Sequence, residues 1–344
     1  MNILILPSWY TTPENPTSGI FFKEQAQALQ SYFDRFDIGS RVYVLAVETF
    51  SVRSIQQFVK RKRLKFSVED GIPTLRTRFF YIPKVGKLNY LRCGKHVSSG
   101  IKKLQKRLNV QFDLIHIHSA LEAGIWYYFS KLSIPYVITE HSSMYSRMLI
   151  TKRQKSVLPK VFDNASKIIA VGNGLVSEIT KYTEKKIEVI FNIVAPSFSY
   201  EIKGVMQNQK EFIFFSLGVN ARTKGFDILL SAFQDFIKKG NRARLVIAGL
   251  LPEEKEWLLS LGISDATLKN VELLGKLNRD EVKLYMSSCN AFILVSRHET
   301  FGVVFAEAMY CGKPVIASKT GGPDSFVNST TGIIVPVENV EKTD

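Results

Sequence analysis

Cysteine is scarce in this chain: three in 344 residues, at positions 93, 289 and 311, with no CxxC pair. That excludes a disulfide framework or a cysteine-built zinc cage and fits a reducing compartment. Cys289 and Cys311 are expected as small buried apolar residues. No apolar run approaches the roughly 18 residues needed to cross a bilayer. The opening MNILILPSWY has neither a basic leader nor a small-residue cleavage site, so it reads as a first strand rather than a signal peptide. DxD, HExxH and Cys/His clusters are absent, and no metal site or resident cofactor is expected. Acid is also short: 31 Asp and Glu stand against 46 Lys and Arg, a formal charge of +15.

That surplus is uneven. Through residue 190 there are 29 basic and 14 acidic residues; after it there are 17 of each. The split predicts two domains with different partners. VKRKRLKF (59–66) and the stretch 84–108 concentrate the charge. Such stretches attract nucleic acid, anionic lipid or acidic substrates, or they form a solvated basic face with no partner.

What is present is alternation. Val- and Ile-rich runs at 2–6, 42–47, 114–117, 136–139, 167–171 and 187–191 are separated by helical patterns at 19–32, 95–108, 120–131, 155–164 and 173–182. The polar segment 195–211 interrupts the pattern and reads as a linker. Strand runs resume at 212–217, 244–249, 271–275, 291–296, 314–318 and 332–336, with helices at 225–238, 253–261, 279–287 and 301–311. Runs apolar throughout suit parallel strands buried on both faces, and βα alternation suits right-handed crossovers. The expected fold is α/β, two Rossmann-like doubly wound parallel-sheet domains facing a cleft. Their limits are 1–195 and 211–344, joined by a linker at 196–210. Ligands are expected at the carboxyl ends of the strands.

SRHETFGVVFAEAMYCGKP (296–314) carries the most pointed chemistry. Glu299 precedes a helix and Glu307 lies two turns into it. Gly312 suits a left-handed helix stop, with Pro314 beyond it. The first-turn amides, expected around Phe301 and Gly302, have no intrahelical partners and favour an anion. Two acids flanking an anion-binding helix start suit a sugar nucleotide, since carboxylates accept from sugar hydroxyls. The residues alone equally allow Glu299 to be a capping acid.

The stretch HETFGVVFAEAMYCGKPVIASKTGGPDSFV resembles the E-x7-E region of the retaining glycosyltransferases of family 4, which have the GT-B fold. It matches in the FG after the first Glu, in AEAM, in GKPVIAS and in the pair Gly321 and Gly322. The resemblance implies that Glu299 touches the donor sugar, Glu307 the ribose, and the Phe301–Val303 turn the diphosphate. FFSLGVNARTKGFDILLSAF (214–233) is similar to the family's strand, glycine turn and K-G-x-D-x-L helix start. It implies Lys224 on the diphosphate. Where the family commonly has Arg after the glycine equivalent to Gly218, this chain has Val219, and Arg222 is the substitute at hand. The implied donor set is therefore Gly218, Arg222, Lys224, Glu299, Thr300, Phe301, Gly302, Val303 and Glu307. A surface Lys and Arg in a polar loop is the bland alternative.

In the first half, LPSWYTTPENPTSGIFFKEQAQAL (6–29) resembles the family's first strand, loop and helix, with Ser18 as a helix cap and Gly19 approaching phosphate or acceptor. DLIHIHSALEAG (113–124) resembles its H-x-H strand end, placing His118 at the reaction centre with Glu299 and Lys224. ITEHSS (138–143) puts Glu140 and His141 near the acceptor. His116 fits a packed core histidine, and His118 shares its face. VGNGLVSEI (171–179) imitates a dinucleotide fingerprint but has Ser177 at the third glycine and no acid downstream, so it reads as an ordinary turn. NST at 328–330 fits a glycosylation acceptor, with nothing else pointing to secretion.

The resemblance implies a metal-independent, retaining transferase that moves a sugar from a UDP-, GDP- or other nucleotide sugar to a glycan or lipid-linked acceptor in cell-envelope or exopolysaccharide assembly. The basic half implies a cytoplasmic protein, peripheral on an anionic membrane. The rival readings are a non-catalytic relative that binds a membrane or partner, a sugar-nucleotide epimerase of the same fold, and a nucleic-acid binder; no nucleic-acid motif supports the last. The sequence ends at VENVEKTD, where family members continue with further helices, and the C-terminal domain is expected to lack them.

Overall fold

The computed structural model describes residues 1–51, 54, 59, 64–82, 85–195 and 211–337. The expected linker at 196–210 and residues 60–63 of the basic run 59–66 lie outside the described residues. The chain forms two compact units, Met1–Ile193 and Val194–Asp344.

The first unit is built on eight strands. In chain order its elements are β1 (Asn2–Pro7), α1 (Ile20–Phe36), β2 (Arg41–Phe50), β3 (Leu64–Glu69), β4 (Ile72–Phe80), α2 (Gly86–Leu108), β5 (Leu114–His118), a single π-helical turn (Ala120–Gly124) and α3 (Ile125–Ser130). There follow β6 (Tyr136–Glu140), α4 (Lys152–Asp163), β7 (Lys167–Ala170), α5 (Asn173–Ile179) and β8 (Ile187–Val189). The sheet order is β3-β4-β2-β1-β5-β6-β7-β8. All pairs are parallel except β3 with β4. That hairpin is not predicted by the sequence pattern, which places no strand between 47 and 114 and reads 59–66 as a basic stretch. Its turn is Asp70-Gly71, both left-handed at φ 47° and 82°, which suits a two-residue turn between right-twisted strands.

The second unit holds β9 (Phe212–Leu217), α6 (Phe226–Lys238), β10 (Ala243–Ala248), α7 (Pro252–Leu259), α8 (Asp265–Leu268), β11 (Val271–Leu273) and α9 (Arg279–Ser288). It continues with β12 (Ala291–Leu294), α10 (Val303–Tyr310), β13 (Val315–Ser318) and β14 (Gly332–Val335). The order is β11-β10-β9-β12-β13-β14, parallel throughout. Phe215, Phe226, Phe292 and Phe305 are fully buried at its centre. Cys289 and Cys311 are buried thiols, as expected, and so is Cys93 in the first unit.

Two helix boundaries bear on the site. Helix α10 starts at Val303, not Phe301, because Gly302 sits at φ 82° and breaks the helical path. It stops as expected at Gly312, φ 71°, whose N–H bonds to Met309 O while Lys313 N–H bonds to Ala308 O. Helix α1 begins after Gly19 at φ 71° with no side-chain cap, so Ser18 does not cap it.

In each sheet the strand order reverses once: between β1 and β5, and between β9 and β12. Loops leaving neighbouring strands at such a point diverge and open a crevice beyond the carboxyl ends. The sequence-predicted residues gather at these two places. Among the described residues, no helix is long and apolar enough to cross a membrane.

Candidate functional site

In the second unit, the crevice lies between the loop after β9 (218–225) and the loop after β12 (295–302). Lys224 Nζ donates to Glu299 Oε2 at 2.6 Å, and Ser296 Oγ lies 3.3 Å from the same oxygen. Both charged side chains are about four-fifths buried, at 19% and 14% exposure. Gly218 makes room for this lysine: a Cβ there would stand 2.7 Å from Lys224 Cγ. Gly225, at φ 68°, lets the first loop touch the second, since a Cβ would meet Val295 O at 2.1 Å.

The loops are then clamped. Arg297 pairs bidentately with Asp227 at 2.8 and 2.9 Å, donates to Arg222 O, and bonds through its own N–H to Thr223 O. A forked guanidinium–carboxylate contact fixes orientation as well as distance. The Ser318 hydroxyl donates to Ser296 O, tying the end of β13 to the same loop. Arg222 turns its guanidinium over the Trp257 ring, 4.3 Å from the centroid. A phosphate role for it requires leaving that ring, and Val219 is exposed beside it.

The start of α10 borders Glu299. Phe305 N–H bonds to Gly302 O, so the first-turn amides without an intrahelical partner are those of Val303 and Val304. The expected pair, Phe301 and Gly302, precedes the helix. Phe301 is buried, its ring 4.7 Å from that of Phe326, and anchors the turn. Gly322 backs the turn closely: a Cβ would fall 2.7 Å from Thr300 C and 2.8 Å from Glu299 O. Glu307 faces inward at 2% exposure, with Arg279 Nη1 2.8 Å from Oε1.

The first unit's crevice holds three histidines. His118 Nδ1 lies 3.0 Å from His141 Nε2, and His116 Nε2 lies 2.8 Å from Thr139 Oγ1. The His116 and His118 rings stand 4.2 Å apart on one face, as alternation predicts. Burial pushes His116 down to about 4 and His141 to about 3, and holds His118 well below the usual imidazole value, with neighbouring histidines adding to the last two. All three are therefore neutral near pH 7. Phe22, in the first turn of α1, packs on both His118 and His141 at 4.8 and 5.0 Å.

Ser119, directly after His118, takes φ 71° and ψ 125°, a costly backbone for a residue with a Cβ. Ser8 holds this turn: its hydroxyl donates to Ser119 O and accepts from Ala123 N–H. Glu140 differs from expectation. Its buried carboxylate accepts from Ala120, His141 and Ser142 amides and from the Tyr145 hydroxyl, at 2.8 to 3.0 Å. Four internal donors make it the organiser of the loops around His118 and His141 rather than an open acceptor ligand. Gly19 abuts protein as well: a Cβ would stand 3.0 Å from Trp9 O.

The structure thus brings Lys224, Gly218, Glu299 and the α10 start together in one unit, and His118, His141, Glu140 and α1 in the other. Sequence reasoning missed Arg297 with Asp227, and Arg279 with Glu307. RHET and K-G-x-D mark the two segments in the sequence, but nothing local pairs an Arg with an acid 70 residues away. No group of three or more His, Cys, Asp or Glu residues is arranged to hold a metal ion among the described residues.

Comparison with known proteins identifies the family. Residues 59–198 match the family model described as Glycosyltransferase Family 4, and residues 200–343 match that described as Glycosyl transferases group 1. The chain is 30% identical over 218 residues to an uncharacterized glycosyltransferase of Methanocaldococcus jannaschii, covering 62% of this chain and 58% of that one. It is 24% identical over 361 residues to a putative teichuronic acid biosynthesis glycosyltransferase of Bacillus subtilis, covering 99% and 87%. The solved structure of Anabaena HepE, in complex with UDP and glucose, superposes with a TM-score of 0.64 at 19% identity, covering 98% of this chain and 86% of that one.

Proposed function

We propose, for a chain that belongs to the family 4 glycosyltransferases of GT-B type, that it transfers a sugar from a nucleotide diphosphate sugar to a hydroxyl of a glycan acceptor. The reading extends to retention of anomeric configuration, to independence of metal, and to assembly of a cell-envelope or extracellular polysaccharide. The observation that carries it is Lys224 held against Glu299 beside the open start of α10. HepE, of like fold, was solved with UDP and glucose, and the Bacillus subtilis relative is named a putative teichuronic acid biosynthesis glycosyltransferase; the first supports the donor class and the second the setting.

The chemistry follows from the donor inventory. An ammonium group has three hydrogens, and Glu299 takes one, leaving two for phosphate oxygens. As the bond from the sugar's anomeric carbon to the diphosphate breaks, its electron pair stays on the diphosphate. Lys224 and the Val303 and Val304 amides are preorganised for that charge, which is the most effective way for a protein to lower such a barrier. The acceptor oxygen then bonds to the anomeric carbon on the face the diphosphate leaves, and its proton passes to the departing phosphate. Glu299 keeps lone pairs for a donor-sugar hydroxyl, and Glu307, braced by Arg279, for the ribose. His118 and His141, neutral and one hydrogen bond apart, serve the acceptor side.

The acceptor we assign is a lipid-linked glycan, with the protein peripheral on the cytoplasmic membrane face. The basic surplus before residue 190 supports this. Thermal-shift titration with UDP-, GDP- and ADP-sugars tests the donor, because a ligand of the folded state raises its melting point. Failure of every nucleotide sugar to shift it contradicts the reading.

A further inference from the structure

A basic groove on the helical layer of the first unit is unused by the reaction above. Helix α3 has only 6 residues, between the 23 of α2 and the 12 of α4. A cavity of about 550 Å³ is lined from all three helices. Four cations reach it: Lys87 from the start of α2, Lys131 from the left-handed turn that ends α3, and Arg153 and Lys160 from α4. No carboxylate is among its described lining residues, and none of the four cations forms an ion pair among the described residues. Gathering like charges around one concavity is unfavourable until an anion joins them.

The walls are built to hold their shape. Tyr90 and Phe129 stack at 5.8 Å and 21°, with Tyr128 edge-on to Phe129. Gly94 permits the close approach of α2 to the end of α3: a Cβ would meet the Phe129 carbonyl carbon at 2.4 Å. Gly86 leaves the space that the Arg153 guanidinium occupies, where a Cβ would collide with Nη1 at 1.5 Å. Lys131 rests its ammonium over the Tyr128 ring at 5.0 Å.

We propose that this groove is a second ligand site, separate from the two strand-edge crevices, and that it takes a phosphate ester whose carrier lies along the aromatic wall. A phosphate monoester carries between one and two negative charges near pH 7 and three acceptor oxygens, which suits several converging donors better than a single carboxylate does. Arg153 supplies the planar fork that matches two of those oxygens. A soluble sugar or polyol phosphate offers that full set, and the phosphodiester of a phospholipid headgroup such as phosphatidylglycerol offers one charge and two free oxygens to the same donors. Leu88 and Leu91, exposed on α2 beside Lys87, are placed to enter an acyl layer in the second case.

The test uses the full chain in two arms. One measures co-sedimentation with phosphatidylcholine vesicles with and without phosphatidylglycerol; the other titrates glycerol 1-phosphate calorimetrically, with acetate as the anion control. Wild type is compared with Arg153→Gln/Lys160→Gln and with Lys102→Gln/Lys106→Gln, which removes equal charge from α2 outside the groove. Losing two charge-assisted contacts should weaken binding about tenfold or more in the first double variant. The control should change it by less than about threefold, as expected of screened surface charge. Loss confined to vesicles assigns the lipid source, and loss with glycerol 1-phosphate assigns the soluble one. No binding in either arm, equal loss in both variants, or equal binding of acetate overturns the proposal. If the first variant does not fold, Lys87→Gln/Lys131→Gln replaces it, both side chains being exposed. Binding is read without sugar transfer, so failure here leaves the transferase reading intact.

Discussion

Lys224 and Glu299 stand 75 positions apart in the chain and 2.6 Å apart in the structure. They meet because the loops after β9 and β12 leave neighbouring strands where the sheet order reverses. The contact is enforced on both sides: Gly218 yields space to the lysine stem, and the Arg297–Asp227 fork pins the loop that carries the glutamate.

Replacing Lys224 by Ala should lower the transfer rate by about a hundredfold or more, the usual cost of removing one preorganised donor from a developing charge. Steady-state kinetics with the cognate donor measures it. A rate within threefold of wild type contradicts the assignment.

The two glutamates should part company. Glu307→Ala should weaken nucleotide binding, read by calorimetry with the free nucleoside diphosphate. Glu299→Ala should mainly lower turnover while leaving nucleotide affinity nearer to wild type. Similar, near-normal behaviour of both variants counts against the roles given to them.

Gly218→Ala tests placement rather than charge. The added methyl would lie 2.7 Å from Lys224 Cγ and must push the lysine aside. At a half-buried site without positive φ, little loss of stability is expected. Activity should fall toward that of Lys224→Ala while the melting temperature moves by only a few degrees. Full activity would mean that the position of the ammonium does not matter.

The histidine cluster predicts an acid-side loss of stability. Below about pH 6.5 the unfolded chain takes up a proton at His116, His118 and His141. The folded chain resists until about 4 at His116 and about 3 at His141, with His118 also held well down. Unfolded molecules therefore bind more protons in that window, and stability should rise with pH from about 4 to 6.5 and gain nothing more from these groups above it. Urea midpoints across this range check the slope, and His141→Asn should flatten it.

Much of the fold was legible in the residues. Both-face burial is written into the unbroken Val and Ile runs, and β9 falls at 212–217 as read. The hairpin Leu64–Phe80 escaped because its strands alternate charge with apolar residues on a basic background, although Asp70-Gly71 marks its turn. The two-residue error at α10 came from Gly302, whose left-handed φ a pattern of apolar spacing does not register. Lys224 and Glu299 were each visible in their own motif, but their contact was not. Nor was the saturation of Glu140, because three of its four donors are backbone amides, which every residue type but proline supplies.

The most direct test of the central claim is a crystal structure of the chain with a bound nucleoside diphosphate. The account predicts a terminal phosphate within hydrogen-bond distance of Lys224 Nζ and of the Val303 and Val304 amides, with the ribose at Glu307. A nucleotide bound anywhere else, with the Lys224–Glu299 pair untouched, contradicts it.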